Sequence, residues 1–154
     1  MLKTIPISIL FVLIAGFGPF ATASADGSEE PDGSLTVQIS NVQNGKGQVG
    51  CSLYASKDGF PSEPKKAKAQ MFVKQRDGKA TCTFKGVKPG TYAVSVMHDE
   101  NKDGELETSM VGRPQEPWGV SNDVPAERFG PPKYEKATFK YTGAAKTIKV
   151  TLQS

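Results

Sequence analysis

The stretch HDENKDGELET, residues 98 to 108, gathers oxygen-bearing side chains on a turn and holds the only histidine of the chain. Its spacing matches the first part of a calcium loop. Asp99, Asn101 and Asp103 stand at positions 1, 3 and 5, and Gly104 at position 6, where the chain must turn sharply. Glu105 would lend its carbonyl at position 7, and Glu107 follows at position 9. A hard cation wants several oxygens on one tight turn, so calcium is the expected cofactor and these five residues its ligands. Position 12 is Met110 instead of a bidentate Glu. The missing oxygens must come from further on, where Glu116, Asn122 and Asp123 are available. The competing reading is an acidic turn closed by Asx hydrogen bonds around Asn101 and Asp103-Gly104.

Catalysis finds little to work with. There is no G-x-S-x-G and no H-E-x-x-H. A nucleophile triad would have to use His98, and no marked serine or free cysteine stands beside it. Glu105 and Glu107 would serve a hydrolase as paired carboxylates, and exposed charge is the plainer account of them. His98 itself reads as a residue closing the end of a strand, since one histidine is poor evidence for a metal site. The expectation is a protein without enzymatic activity. Trp118, in PWGVSND, is the only tryptophan and is the candidate ligand-binding residue. Tryptophan is enriched at binding hot spots, but it is also an ordinary core residue. Phe60 and Tyr134 are aromatic candidates of the same kind.

These residues need a frame. The chain opens MLKTIPISILFVLIAGFGPFATASA: a basic start, an apolar run, then Ala23-Ser24-Ala25. That is the pattern of a secretory signal peptide, 1–25, cleaved near Ala25. Pro6, Gly16, Gly18 and Pro19 interrupt a run already short of the ~20 residues that span a membrane. The expected address is the periplasm or the medium, with no membrane span in the mature chain. Residues 26–34, DGSEEPDGS, read as a flexible linker, and 35–154 as one domain. The net charge is +3 with both signs interspersed. That is too mild to argue for a nucleic-acid partner. A protein, carbohydrate or small-molecule ligand remains.

The strand pattern supplies the domain. LTVQISNV alternates Leu35, Val37 and Ile39 against polar residues, and QVGCSLYA follows after NGKG, as a hairpin would. MFVKQR and ATCTF flank the turn signal Asp77-Gly78. Pro89-Gly90 leads into TYAVSVMHD, and KATFKYTG and KTIKVTLQ are joined around Gly143. Seven strands with almost no helix predict an antiparallel β-sandwich. Residues 99–136 carry no strand or helix pattern. Met110, Val111, Trp118, Val120 and Phe129 nevertheless give that segment something to pack with, so one long ordered loop over an end or edge of the sandwich is expected.

Cys51 and Cys82 fall in phase with the apolar residues of GQVGCSLY and ATCTF. Both point inward, which predicts a bridge across the core in preference to two buried thiols.

LTVQISNV, GQVGCSLY, GVKPGTYAVSVMHDENKDGELE, GRPQEPWGVSND and GPPKYEKATF, taken together, resemble the bacterial domain of unknown function 2141 family over about residues 35 to 152. The resemblance implies a secreted or periplasmic sandwich of immunoglobulin- or prealbumin-like type, related in look to carboxypeptidase-regulatory modules. It implies no activity and therefore no site residues. The chain departs from the family pattern at Cys51 and Cys82, where aliphatic residues are usual, and at Asp103, where Asn is common.

Overall fold

The computed structural model describes residues 33–110, 113–128 and 130–154. The segment read as a signal peptide and most of the linker lie outside the described residues, as do Val111, Gly112 and Phe129.

Two sheets face each other. The first contains β1 (Leu35–Ser40), β4 (Ala80–Phe84) and β8 (Lys146–Thr151), in the order β4-β1-β8. The second contains β2 (Gln48–Tyr54), β3 (Ala69–Val73), β5 (Gly90–Asp99) and β6 (Trp118–Val120), in the order β3-β2-β5-β6. β7 (Phe139–Tyr141) adds to the start of β5. The all-β, sandwich-like architecture agrees with the alternation in the sequence.

Two parts of the expectation are corrected. There are eight strands among the described residues, not seven, because Trp118–Val120 pairs with Ser95–Met97. The first sheet is also mixed, not antiparallel: β1 runs parallel to β8, with Val37 opposite Ile148, and antiparallel to β4. A pairing between the two ends of the chain leaves no local sequence signal. Nor do β1 and β2 form a hairpin. They belong to different sheets, and the link between them is held by Asn41, at φ 62°, whose amide donates to the Leu152 carbonyl. The Asp77-Gly78 turn forms as expected, both residues at positive φ, and closes on an Arg76–Lys79 bridge. The strands it joins then part into the two sheets.

The core lies between the sheets. Leu35, Val37 and Ile39 of β1 meet Val49, Cys51 and Leu53 of β2, Cys82 and Phe84 of β4, and Val94 and Val96 of β5. Strand residues of one parity all reach this layer, which is why the alternation was readable. Cys51 and Cys82 are bonded, with Cα atoms 6.6 Å apart, and tie the two sheets together.

The described parts of the segment after β5 pack through a second, smaller core. Trp118 and Val120 of β6 pack with Ala93 of β5 and with Ala137 of a one-turn helix, Tyr134–Ala137. Phe60, Leu106, Val124 and Tyr134 close over them. The segment therefore covers the outer face of β5. Trp118 also exchanges backbone hydrogen bonds with Gln153, at 2.9 and 2.7 Å, which fastens β6 to the end of the chain. Ser121 completes the attachment. Its hydroxyl accepts from the Val94 amide and donates to the Ala137 carbonyl.

Candidate functional site

β5 is covered on both faces at its far end, so alternation there does not expose one residue and bury the next. His98 and Asp99 are both wholly buried. They point to opposite faces of the strand and take separate tasks.

Asp99 anchors the acidic loop. Its carboxylate accepts hydrogen bonds from the Asp103 amide at 3.1 Å, the Gly104 amide at 3.0 Å and the Gln48 side chain at 2.8 Å. The loop is folded around it by Asx bonds. The Asp103 amide also donates to Asn101 Oδ1, and the Glu105 amide to Asp103 Oδ1. Lys102 at φ 66° and Gly104 at φ 80° make the sharp turn. At Gly104 that conformation is what glycine adopts without strain.

Asn101 links the rest. Its Nδ2 donates to Asp103 Oδ2 at 2.8 Å and to Glu107 Oε1 at 2.9 Å. Two carboxylates thus share one amide nitrogen. Glu105 points away, its carboxylate 3.8 Å from Lys65 with both side chains exposed. Glu105 and Glu107 are not brought together as a carboxylate pair.

Glu116 is the residue that the sequence offered only as one of three distant donors. It is 6 % exposed. One oxygen accepts from the Glu100 amide at 2.8 Å and the other from the Glu107 amide at 3.3 Å, so it clamps both ends of the loop. Burial pushes its carboxyl above the usual carboxylate range. The two backbone amides pull it back, and the neighbouring charges of Asp99 and Glu107 push it further up. The other two distant donors go elsewhere. Asn122 donates to the carbonyls of Lys136 and Thr138, and Asp123 accepts from the Thr151 amide. Only its place in a loop whose donors were incomplete pointed to Glu116.

Among the described residues, no three His, Cys, Asp or Glu side chains converge as a metal-holding group as they stand. The arrangement is a hydrogen-bonded acidic turn whose carboxylates border one another. For a cation to use it, the Asn101 amide must turn its oxygen inward and Glu107 must follow.

His98 closes a strand end, with its Nε2 at 2.8 Å from the Lys46 carbonyl, where it must donate. Its Nδ1 has no hydrogen-bond partner and faces Glu100 Oε1 across 3.8 Å, beyond hydrogen-bond reach. The ring is sealed from solvent. Trp118, the candidate ligand-binding residue, is 8 % exposed and belongs to the second core. Phe60 and Tyr134 are half-buried and extend that core to Tyr54 by edge-to-face contacts at 5.4 and 5.5 Å. Burial raises the Tyr54 phenol to about 12.

The fold and site define a disulfide-linked, mostly β protein of two facing sheets, with a carboxylate-anchored loop at one end. Residues 37–149 match a family described as uncharacterized protein conserved in bacteria (DUF2141), and the chain belongs to that family. Neither the curated proteins nor the solved structures contain a match.

Proposed function

We propose that this chain is an exported, non-enzymatic binding or structural accessory module of the bacterial envelope, and that its 99–107 loop takes up calcium weakly. The observation that carries the reading is that two buried carboxylates hold the loop, Asp99 through the amides of Asp103 and Gly104 and Glu116 through those of Glu100 and Glu107. Among the described residues, the lysine that pairs with the loop, Lys65, meets Glu105 on the outside. A divalent cation has Asp99, Asn101, Asp103, the Glu105 carbonyl and Glu107 at calcium-loop spacing. Glu116, which is bonded to the Glu107 amide, would supply the carboxylate missing at position 12.

Export is supported by the leader pattern of residues 1–25 and by the Cys51–Cys82 bond, which persists in oxidising compartments. A prealbumin- or immunoglobulin-like topology remains part of this proposal. The non-enzymatic reading is supported by the burial of His98.

The test is thermal melting of the purified protein with calcium, with magnesium and with a chelator. A site lacking a bidentate Glu belongs with extracellular modules, whose Kd is roughly 0.1–1 mM. At calcium a few-fold to tenfold above Kd, linkage gives on the order of 1 kcal/mol, a rise of a few degrees. Magnesium, which holds its waters, does much less. Superimposable curves in all three conditions reduce the loop to a turn.

A further inference from the structure

A second feature lies beside the acidic loop and does not depend on calcium. The β1–β2 connection, the end of β3 and the start of the loop enclose an open groove of about 570 Å³, within the usual size of small-molecule sites. Its walls are Gly45, Lys46 and Gly47, then Lys74 and Gln75, then Glu100 and Lys102.

The groove presents donors. Lys65, Lys66, Lys133 and Lys136 each have a carboxylate within ion-pair distance. Lys46, Lys74 and Lys102 have none among the described residues; Lys140 and Lys149 have none either, and what sets the three apart is that their exposed side chains share one groove. The backbones that carry them are fixed. The Lys46 amide donates to Asn44 and its carbonyl accepts from the buried His98. Lys74 directly follows β3, and Lys102 sits at the left-handed corner of the Asx-bonded turn. Gln75 adds a neutral donor. Its Oε1 accepts from the Gly78 amide, which turns its Nε2 toward Gly45, and a side chain at Gly45 would meet that nitrogen. The single carboxylate in the wall, Glu100, is already engaged by Asn44 Nδ2 at 2.8 Å.

We propose that this groove is a binding site for a small phosphorylated ligand. Three ammonium groups act as point charges suited to phosphate oxygens. No arginine lines the groove, so recognition rests on point charges, which favour the more highly charged phosphate over a single carboxylate. The site discriminates by charge and shape, and its affinity falls as salt rises.

Inorganic pyrophosphate serves as the probe, with citrate as a carboxylate of comparable charge. Amide shifts are followed in chelator-containing, calcium-free buffer, so that failure of the calcium reading leaves this test intact. Pyrophosphate is expected to give a saturable one-to-one shift at Lys46, Gln75 and Lys102. K74Q and K102Q should each weaken it roughly tenfold, the order of one charge-assisted contact. K140Q and K149Q, on exposed parts of β7 and β8, should leave it unchanged. Shifts that do not saturate, or equal losses from the β7 and β8 variants, overturn the site. Citrate binding as tightly as pyrophosphate overturns its assignment to phosphate.

Discussion

Replacing Asp99 by Asn keeps the shape of the side chain and removes its charge. The carboxylate accepts three hydrogen bonds, from Gln48 Nε2 and from the amides of Asp103 and Gly104, on a residue with no exposed surface. An Asn side chain keeps one acceptor oxygen. Its NH2 group is set against at least one of the donors that the other oxygen served. A hydrogen bond to a charged group contributes ~1.5–3 kcal/mol, and an orphaned buried donor costs ~1–3 kcal/mol. Asp99→Asn should therefore cost about 2–4 kcal/mol, a large share of the ~5–15 kcal/mol that holds an ordinary domain together. Chemical denaturation would register this as a lower midpoint at unchanged slope. If the loop opens by itself, the midpoint moves less, and the Gly104 amide loses its protection from hydrogen exchange. An Asp99→Asn protein within about 0.5 kcal/mol of the parent, with Gly104 still protected, would refute the anchoring role, since that is the scatter of ordinary surface substitutions.

Three further outcomes are expected. Cys51→Ala/Cys82→Ala removes a link closing 31 residues of separation between the sheets, and denaturation should find it less stable by about 3–4 kcal/mol. Glu116 has a folded-state pKa above its unfolded value, so its contribution is fully present below the unfolded pKa and is lost as pH rises through the folded one. The stability of the parent relative to Glu116→Gln should accordingly decline from acid toward neutral pH, and a difference that grows over that window would contradict the burial argument. The Trp118 indole should emit at short wavelength and resist acrylamide, and Trp118→Ala should cost about 3–5 kcal/mol by emptying the second core.

What the sequence made readable follows from its periodicities. Leu35, Val37 and Ile39 alternate cleanly because β1 has its core on one side only, and the same phase placed Cys51 opposite Cys82. β5 does not show the rule, because both its faces are covered: Tyr92, Ala93 and Val94 are buried in succession, as are Val96, Met97, His98 and Asp99, and alternation does not separate inside from outside. β6 is three residues long, too short to display a period, and exists because Trp118 docks on Met97 and Gln153. The parallel pairing of β1 with β8 joins residues more than a hundred positions apart, and no local pattern encodes that. At the site, Asp99, Asn101, Asp103 and Gly104 were legible because Asx turns and calcium loops share one spacing. Glu116 was legible only as one of three distant donors, because a single acidic residue between Gln115 and Pro117 looks like solvated charge until the fold buries it.

Calcium uptake by the 99–107 loop is the central property proposed for this protein. Following the Gly104 amide resonance through a calcium titration tests this most directly, because that amide is bonded to Asp99 at the turn of the loop. The account predicts a saturable shift at Gly104 with one calcium per chain, a Kd of roughly 0.1–1 mM, and accompanying shifts at Glu107 and Glu116. Asp103→Ala should abolish it. A Gly104 resonance that stays in place at saturating calcium, or moves equally in Asp103→Ala, would contradict it.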